Sequence, residues 1–384
     1  MIPWRNLKRF FYKTLKQPAY AVKTFGRRLE ANFYYLFGRG RSRNPEAITL
    51  FLTHRCNLSC AMCGQWGREG VTKKHNAEYI LQELDPKELR AIIDDVASFN
   101  PSITLFGGEP LLYKGCIELV KYIKQKGMHC LIITNGSLIE ELALDIVDSG
   151  LDELNVSLDG AAALHDQIRA MPGLFERITQ GLNKVNYLKA ELKKKKPLVN
   201  LQCTITQYNY RHLEQLVAVA ESINADSLTF HNLIFLNRNI LARQKEYDSM
   251  LGAESSGWEG FVFDSGIDPV ALYEKIKEIS SRKYRFNVDF YPNFSQRELL
   301  DYYRNPEFFP SGYAGRCLSP WLVAYIFPDA EVRPCLNSSY SYGNLKKDKF
   351  AEVWNSRQAV NYRRFFKEKG VFPVCSRCTE MYRY

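Results

Sequence analysis

From residue 47 onward, short apolar runs rich in β-branched residues alternate with stretches whose apolar positions recur every three to four residues. The runs are AITLFLT (47–53), SITLF (102–106), CLIITN (130–135), ELNVSLD (153–159), VNLQCTIT (199–206) and SLTFHNL (227–233). Between them the period predicts helices over 86–98, 115–126, 138–148, 174–194 and 210–223. Buried parallel strands read as short apolar runs, and the crossover joining two of them needs a dozen or more residues. Six such units predict an α/β fold, a partial (β/α)6 TIM-type barrel over residues 45–236. In sheets of this kind chemistry gathers at the carboxyl ends of the strands.

Outside that span the pattern changes. Residues 237–312 hold a polar loop rich in Gly and Ser (252–266), helices near 269–281 and 295–304, and the strand-like RFNVDFY, and read as a linker that covers substrate. Residues 313–384 carry four cysteines and many aromatics, with no long helix before about 349–368, and read as a small cysteine-rich domain. Residues 1–44 show two apolar stripes at helical spacing, Trp4, Leu7, Phe11 and Leu15, then Val22, Phe25, Leu29, Phe33 and Leu36 beyond Pro18. They predict a basic amphipathic helical leader.

Composition sharpens this division. Of 384 residues, 46% are hydrophobic and 13% aromatic, which suits a chain with full cores. The formal charge is +10, yet residues 1–43 alone hold eleven Lys or Arg against one acid, Glu30, so the remainder is balanced. A basic amphipathic helix with aromatics suits an anionic membrane surface. The competing reading is a helix pair packed on the core with its charges solvated; nucleic acid is a weaker fit than either. Arg and Lys interrupt the leader throughout, so it lacks a secretory signal's apolar run. No other stretch is apolar enough to span a bilayer, and a cytoplasmic location is expected. In a reducing compartment the ten cysteines read as ligands or catalysts before disulfides. The run LKKKKP (192–197) reads as a solvated helix end.

Chemistry enters with LTHRCNLSCAMCGQWG (52–67), where Cys56, Cys60 and Cys63 are spaced C-x3-C-x2-C. A [4Fe–4S] cube offers one ligand site per iron, so three thiolates leave one iron open to a chelating amine and carboxylate. A zinc set completed from elsewhere is the alternative. The triplet after the first strand, with Gly107-Gly108-Glu109-Pro110 after the second, resembles the radical S-adenosylmethionine (SAM) superfamily.

That resemblance implies that Cys56, Cys60 and Cys63 hold the cluster and that its open iron binds SAM. Gly107 and Gly108 would let backbone approach SAM, and Glu109 would accept from its ammonium group. Reductive cleavage of SAM would give a 5′-deoxyadenosyl radical that takes hydrogen from substrate. Met62 stands where relatives usually carry an aromatic near the adenine. Asn135 in ITNG and Ser157 and Asp159 in VSLDG would lie beside the ligand, Asp159 or Ser157 reaching the ribose. HDQIRAMPGLFERI resembles the segment that follows in the family, which makes Arg169 a partner for the SAM carboxylate. His165 reads as a helix cap or a solvent-facing residue.

The span from CLSPWLVAYIFPDAEVRPC to CSRC resembles the SPASM/twitch extension of these enzymes. Its Cys317, Cys335, Cys375 and Cys378 suffice for one auxiliary [4Fe–4S] cluster, with zinc as the alternative. Cys116, Cys130 and Cys203 read as core residues, although Cys203 lies near the mouth. His231 and Asn232 end the sixth strand with no motif to rank them.

The function expected is that of a radical SAM enzyme that oxidises or rearranges a sugar, a lipid-linked molecule or a similar metabolite, served by a reductant such as flavodoxin or ferredoxin. A peptide maturase is the enzyme alternative, though no leader-peptide recognition domain is evident before the barrel. A zinc-stapled binding protein without turnover is the alternative from another class.

Overall fold

In a computed structural model, which describes residues 14–15, 18–310 and 315–384, the chain forms two compact units. One comprises Leu50–Leu233 and Ser265–Tyr291; the other gathers Met1–Thr49, Ile234–Asp264 and Pro292–Tyr384.

The first is a parallel-sheet unit. Its strands are β1 (Ala47–Phe51, where the boundary falls), β2 (Ser102–Phe106), β3 (Cys130–Thr134), β4 (Glu153–Ser157), β5 (Leu198–Thr204), β6 (Ser227–His231) and β7 (Asn287–Tyr291). They lie side by side in chain order, and every pairing from β2 to β7 is parallel. β7 is the last strand in that order, so the parallel sheet is open at this edge and does not close into a full barrel. The expected six units are thus seven. RFNVDFY, read as part of a linker, pairs with β6 after the helix Pro269–Ser280.

Burial along the strands alternates. Ile103, Leu105, Ile132, Leu154, Val156, Leu201, Leu228 and Phe230 are fully buried, while Phe106, Ile133, Ser157, Gln202, Thr204 and His231 are half-buried. One face is therefore closed by apolar packing, and the other opens toward polar groups at the carboxyl ends. The first long crossover helix begins on a side-chain cap. Asp85 accepts from Lys87 N and Glu88 N, and Glu88 answers to Asp85 N at 2.9 Å, a capping box that starts the helix Pro86–Ala97.

The second unit is cysteine-rich. It contains the helix Pro18–Phe37, an antiparallel meander of β8 (Val323–Ile326), β9 (Glu331–Arg333) and β10 (Gly343–Asn344), and the helices Phe350–Trp354 and Arg357–Lys369. Trp321, Tyr342, Phe350, Trp354 and Tyr362 form its aromatic centre, each at most 1% exposed. The helix Pro18–Phe37 is held through Tyr35 against Trp321 (5.0 Å between ring centroids) and through Arg28, paired to Glu46 at 3.1 Å. Along its apolar stripe Val22, Phe25, Leu29, Phe33 and Leu36 are 43–71% exposed. Leu15 is exposed too, and Trp4, Leu7 and Phe11 lie outside the described residues.

Candidate functional site

The loop leaving β1 is folded on itself before any ligand is considered. Cys63 N donates to Cys60 O at 3.1 Å, Gly67 N to Cys63 O at 2.9 Å, and Val71 N to Gly64 O at 3.0 Å. Ala61 N reaches Ile168 O at 2.8 Å, which ties the loop to the helix Ala162–Arg169. Trp66 N donates to the Cys63 sulfur at 3.3 Å, and Trp66 Nε1 donates to His54 O at 2.5 Å.

The loop after β2 lies directly against this one. Gly108 N donates to Thr53 O and Glu109 N to Arg55 O, both at 2.8 Å. The two glycines are explained here. A Cβ on Gly107, at φ +154°, would stand 2.6 Å from Thr53 O, and one on Gly108 would stand 2.1 Å from Arg55 O. What comes close is therefore the backbone of the cysteine loop itself, where approach to a ligand was the expectation.

Glu109 is 1% exposed and closes this layer. Its Oε1 accepts from Leu111 N (3.0 Å) and Thr134 Oγ1 (2.7 Å), and its Oε2 from Asn135 N (2.7 Å). Burial pushes its carboxyl up to about 7 despite those three donors, which pull the other way. Asn135 continues outward: its Nδ2 donates to Asn57 Oδ1 at 2.8 Å and lies 3.9 Å from the Cys56 sulfur. Asn57 Nδ2 in turn donates to Ser137 Oγ at 2.9 Å.

On another flank, Arg169 Nε donates to Asp159 Oδ2 at 2.5 Å while its Nη1 lies 3.7 Å from the Cys60 sulfur. Burial alone would lower the pKa of this guanidinium, but the charge of Asp159 and the hydrogen bond to it outweigh burial and hold the cation firmly. Asp159 Oδ1 accepts from Thr204 N at 2.8 Å, so both of its oxygens are engaged in orienting Arg169 and the end of β5. His165 is neither a cap nor solvent-facing. It is fully buried, its Nδ1 accepts from Asp159 N at 3.1 Å, and burial pulls its imidazole down to about 3. Ser157 ends β4 in register with Gln202, and Met62 is half-buried within the cysteine loop.

Two hydrogen-bonded clusters thus flank the cysteine loop, Glu109 and Asn135 at Cys56 and Asp159 and Arg169 at Cys60, with Cys63 on the same loop. Asn57, Trp66 and Asn209 join them unexpectedly; Asn209 Nδ2 donates to Asp159 O at 2.8 Å. Adjacency to Cys56 could have flagged Asn57, whereas nothing in sequence spacing marks Asn209. Cys203 is fully buried, with Asn209 Nδ2 3.6 Å from its sulfur, and Cys116 and Cys130 are buried as well. His231 Nε2 pairs with Gln202 Oε1 at 2.6 Å on the open face.

The donor chemistry fits iron–sulfur clusters. All ten cysteines are free of disulfides. Burial pushes the Cys56 thiol up to about 12 and raises Cys60 against the pull of Arg169, so these sulfurs become thiolates only when a metal replaces their protons. Among the described residues no three His, Cys, Asp or Glu side chains converge on a single-ion position. A cubane, whose ligands stand on separate irons, needs no such convergence.

The second set fits in the same way within the cysteine-rich unit. Cys317, Cys335, Cys375 and Cys378 lie within electrostatic reach of one another, and burial raises every one of these thiols, Cys335 to about 11 and Cys378 to about 12. Ser319 N donates to the Cys317 sulfur at 3.4 Å, and the Tyr362 hydroxyl lies 3.8 Å from that of Cys335.

Comparison with known proteins bears on both sites. Residues 50–192 match the Radical SAM superfamily, and residues 317–379 match SPASM, an iron–sulfur cluster-binding domain. Fe-coproporphyrin III synthase of Methanosarcina barkeri is 33% identical over 200 residues, which are 51% of this chain and 46% of that protein. AdoMet-dependent heme synthase of Oleidesulfovibrio alaskensis is 24% identical over 344 residues, 85% of this chain and 78% of that one. Among solved structures, Streptococcus suis SuiB bound to the precursor peptide SuiA shares the fold, with a TM-score of 0.61 at 16% identity over 86% of this chain and 69% of that chain.

Proposed function

Because this chain is a radical SAM enzyme with a SPASM iron–sulfur domain at its C-terminal end, we propose that it catalyses a SAM-initiated oxidation of a small metabolite. Cys56, Cys60 and Cys63 hold the SAM-binding cluster in this reading, and Cys317, Cys335, Cys375 and Cys378 hold one auxiliary cluster. When bound, the first cluster and SAM supply a 5′-deoxyadenosyl radical that takes a hydrogen atom from substrate. The observation that carries the reading is the convergence of two polar clusters on one cysteine loop, Glu109 and Asn135 at Cys56 and Asp159 and Arg169 at Cys60.

The chain's own residues divide the work. Glu109 offers a buried acceptor for the SAM ammonium group. Arg169, aimed by Asp159 and standing by the Cys60 sulfur, would receive the SAM carboxylate. Ser157 and Thr204, on the open face of the sheet, join Asp159 as candidates for the ribose role, Asp159 Oδ1 and Oδ2 each accepting one hydrogen bond and keeping a free lone pair. Gln202 and His231 extend the polar surface toward substrate.

A small metabolite is favoured over a peptide by the long alignment with AdoMet-dependent heme synthase, since SuiB shares the fold alone. Modified tetrapyrroles are the first substrates to try. An anionic membrane is proposed as a partner, because the exposed stripe Val22–Leu36 sits in the most basic part of the sequence. A ferredoxin- or flavodoxin-type reductant is proposed as donor.

The test is direct. Full chain reconstituted anaerobically, given SAM and a strong reductant, should release 5′-deoxyadenosine, and Cys56→Ala should release none. Absence of the nucleoside from fully iron-loaded protein would falsify the catalytic reading.

A further inference from the structure

The cysteine-rich unit buries two guanidinium groups that no carboxylate neutralises among the described residues. Arg363 is 0% exposed. It donates to main-chain carbonyls, Nε to Pro320 O at 2.7 Å and Nη1 to Trp354 O at 2.9 Å, and it stacks on the Trp354 ring at 4.2 Å. Its Nη2 finds no acceptor. Arg377 is 2% exposed and lies between Cys375 and Cys378. It donates to Asn305 O at 2.8 Å and to Tyr302 O, and it stacks on the Tyr302 and Phe235 rings at 4.4 and 4.5 Å.

Carbonyl dipoles and ring faces orient a cation without cancelling its charge. A buried, uncompensated charge is costly, and proteins retain one where an opposite charge is nearby. Arg377 stands next to Cys378 in the chain, and Arg363 lies 5.2 Å over the ring of Tyr342, which meets Tyr362, whose hydroxyl is 3.8 Å from the Cys335 sulfur. Tyr342 lies within electrostatic reach of Arg363 and also of Cys335 and Cys317; Tyr302 stands likewise toward Arg377 and Cys378. The carboxylate that acts on Cys335 and Cys378 is Glu380, and it is already paired with Arg383 at 3.1 Å. A cubane on four thiolates is a dianion when oxidised and a trianion when reduced. Nearby positive charge and hydrogen bonds to sulfur favour the more negative state. The Tyr362 hydroxyl and Ser319 N supply such bonds.

We infer that Arg363 and Arg377 are built-in counter-charges for a cluster held by Cys317, Cys335, Cys375 and Cys378, and that they raise its reduction potential. The inference rests on the cysteine assignment proposed above. Together the two arginines match the charge of the oxidised cluster and bias it toward taking up an electron.

The experiment uses the full chain carrying Cys56→Ala, Cys60→Ala and Cys63→Ala, reconstituted anaerobically. About four irons should remain on one cubane. Iron near zero in that background sinks the assignment, and the inference with it. A redox titration followed by electron paramagnetic resonance then compares Arg363→Gln, Arg363→Lys and Arg377→Gln. The neutral variants should shift the reduction equilibrium at least tenfold toward the oxidised cluster, a drop of ~59 mV for one electron. Arg363→Lys should stay near the parent. Neutral variants that keep their iron and their potential would overturn the inference, since purely structural clamps would behave so. If Arg363→Gln cannot hold iron, Arg363→Lys decides: retention of the cluster supports the charge role, and loss of it overturns that role.

Discussion

Glu109 shows how much chemistry one buried side chain can carry. Its carboxyl is pushed up to about 7 because burial outweighs three hydrogen-bond donors. If it receives the SAM ammonium group, SAM should bind more tightly as pH rises through neutrality and Glu109 ionises. Below about 7 the affinity should weaken by up to about tenfold per pH unit, and Glu109→Gln should remove that slope; calorimetry of SAM binding to reconstituted protein reads both. Linkage gives stability the opposite sign. A carboxyl raised above its ordinary value contributes stability below that value and loses it as pH climbs to about 7, so apo-protein should weaken over this window and Glu109→Gln should not. Sequence made Glu109 visible through its Gly-Gly-Glu-Pro setting. It did not show that Gly107 and Gly108 are glycines because the carbonyls of Thr53 and Arg55 occupy the space a Cβ would take.

Among elements, the helix Pro18–Phe37 separates two readings that its sequence left open. One side is fixed by Arg28 on Glu46 and Tyr35 on Trp321, yet the apolar stripe remains open to solvent. Large apolar groups in a row on a basic helix suit the interface of an anionic bilayer. Leu29→Ser with Phe33→Ser should abolish co-flotation with phosphatidylglycerol vesicles and leave the melting temperature nearly unchanged, because exposed positions contribute little to folding. Flotation unaffected by the pair, or absent from the parent chain, would remove the membrane proposal. The strands tell a different story. The spans of β2–β6 were legible because β-branched runs alternate with long crossovers. β7 was not recognised as part of the sheet, since Ile234–Asp264, which belongs to the other unit, separates it from β6.

At the scale of the whole molecule, the proposed assignment puts one cysteine set and one cluster in each unit. Loading both cubanes should give about eight irons per chain. Cys375→Ala should bring that to about four while reductive release of 5′-deoxyadenosine persists, and product formation should fail once a substrate is known. An iron count that stays near eight would show that Cys375 holds no cluster. The spacing of Cys56, Cys60 and Cys63, the Gly-Gly-Glu-Pro turn and the alternation of strand and helix determined the family and most of the sheet without reference to coordinates. These are local features: period, spacing and turn chemistry are written in neighbouring residues. The pairing of Asp159 with Arg169, the fully buried His165, the seventh strand and the uncompensated Arg363 and Arg377 were decided by tertiary structure. Each depends on burial or on a partner far along the chain. The free energy of a charge or a strand edge is set by what surrounds it, and chain folding alone fixes those surroundings.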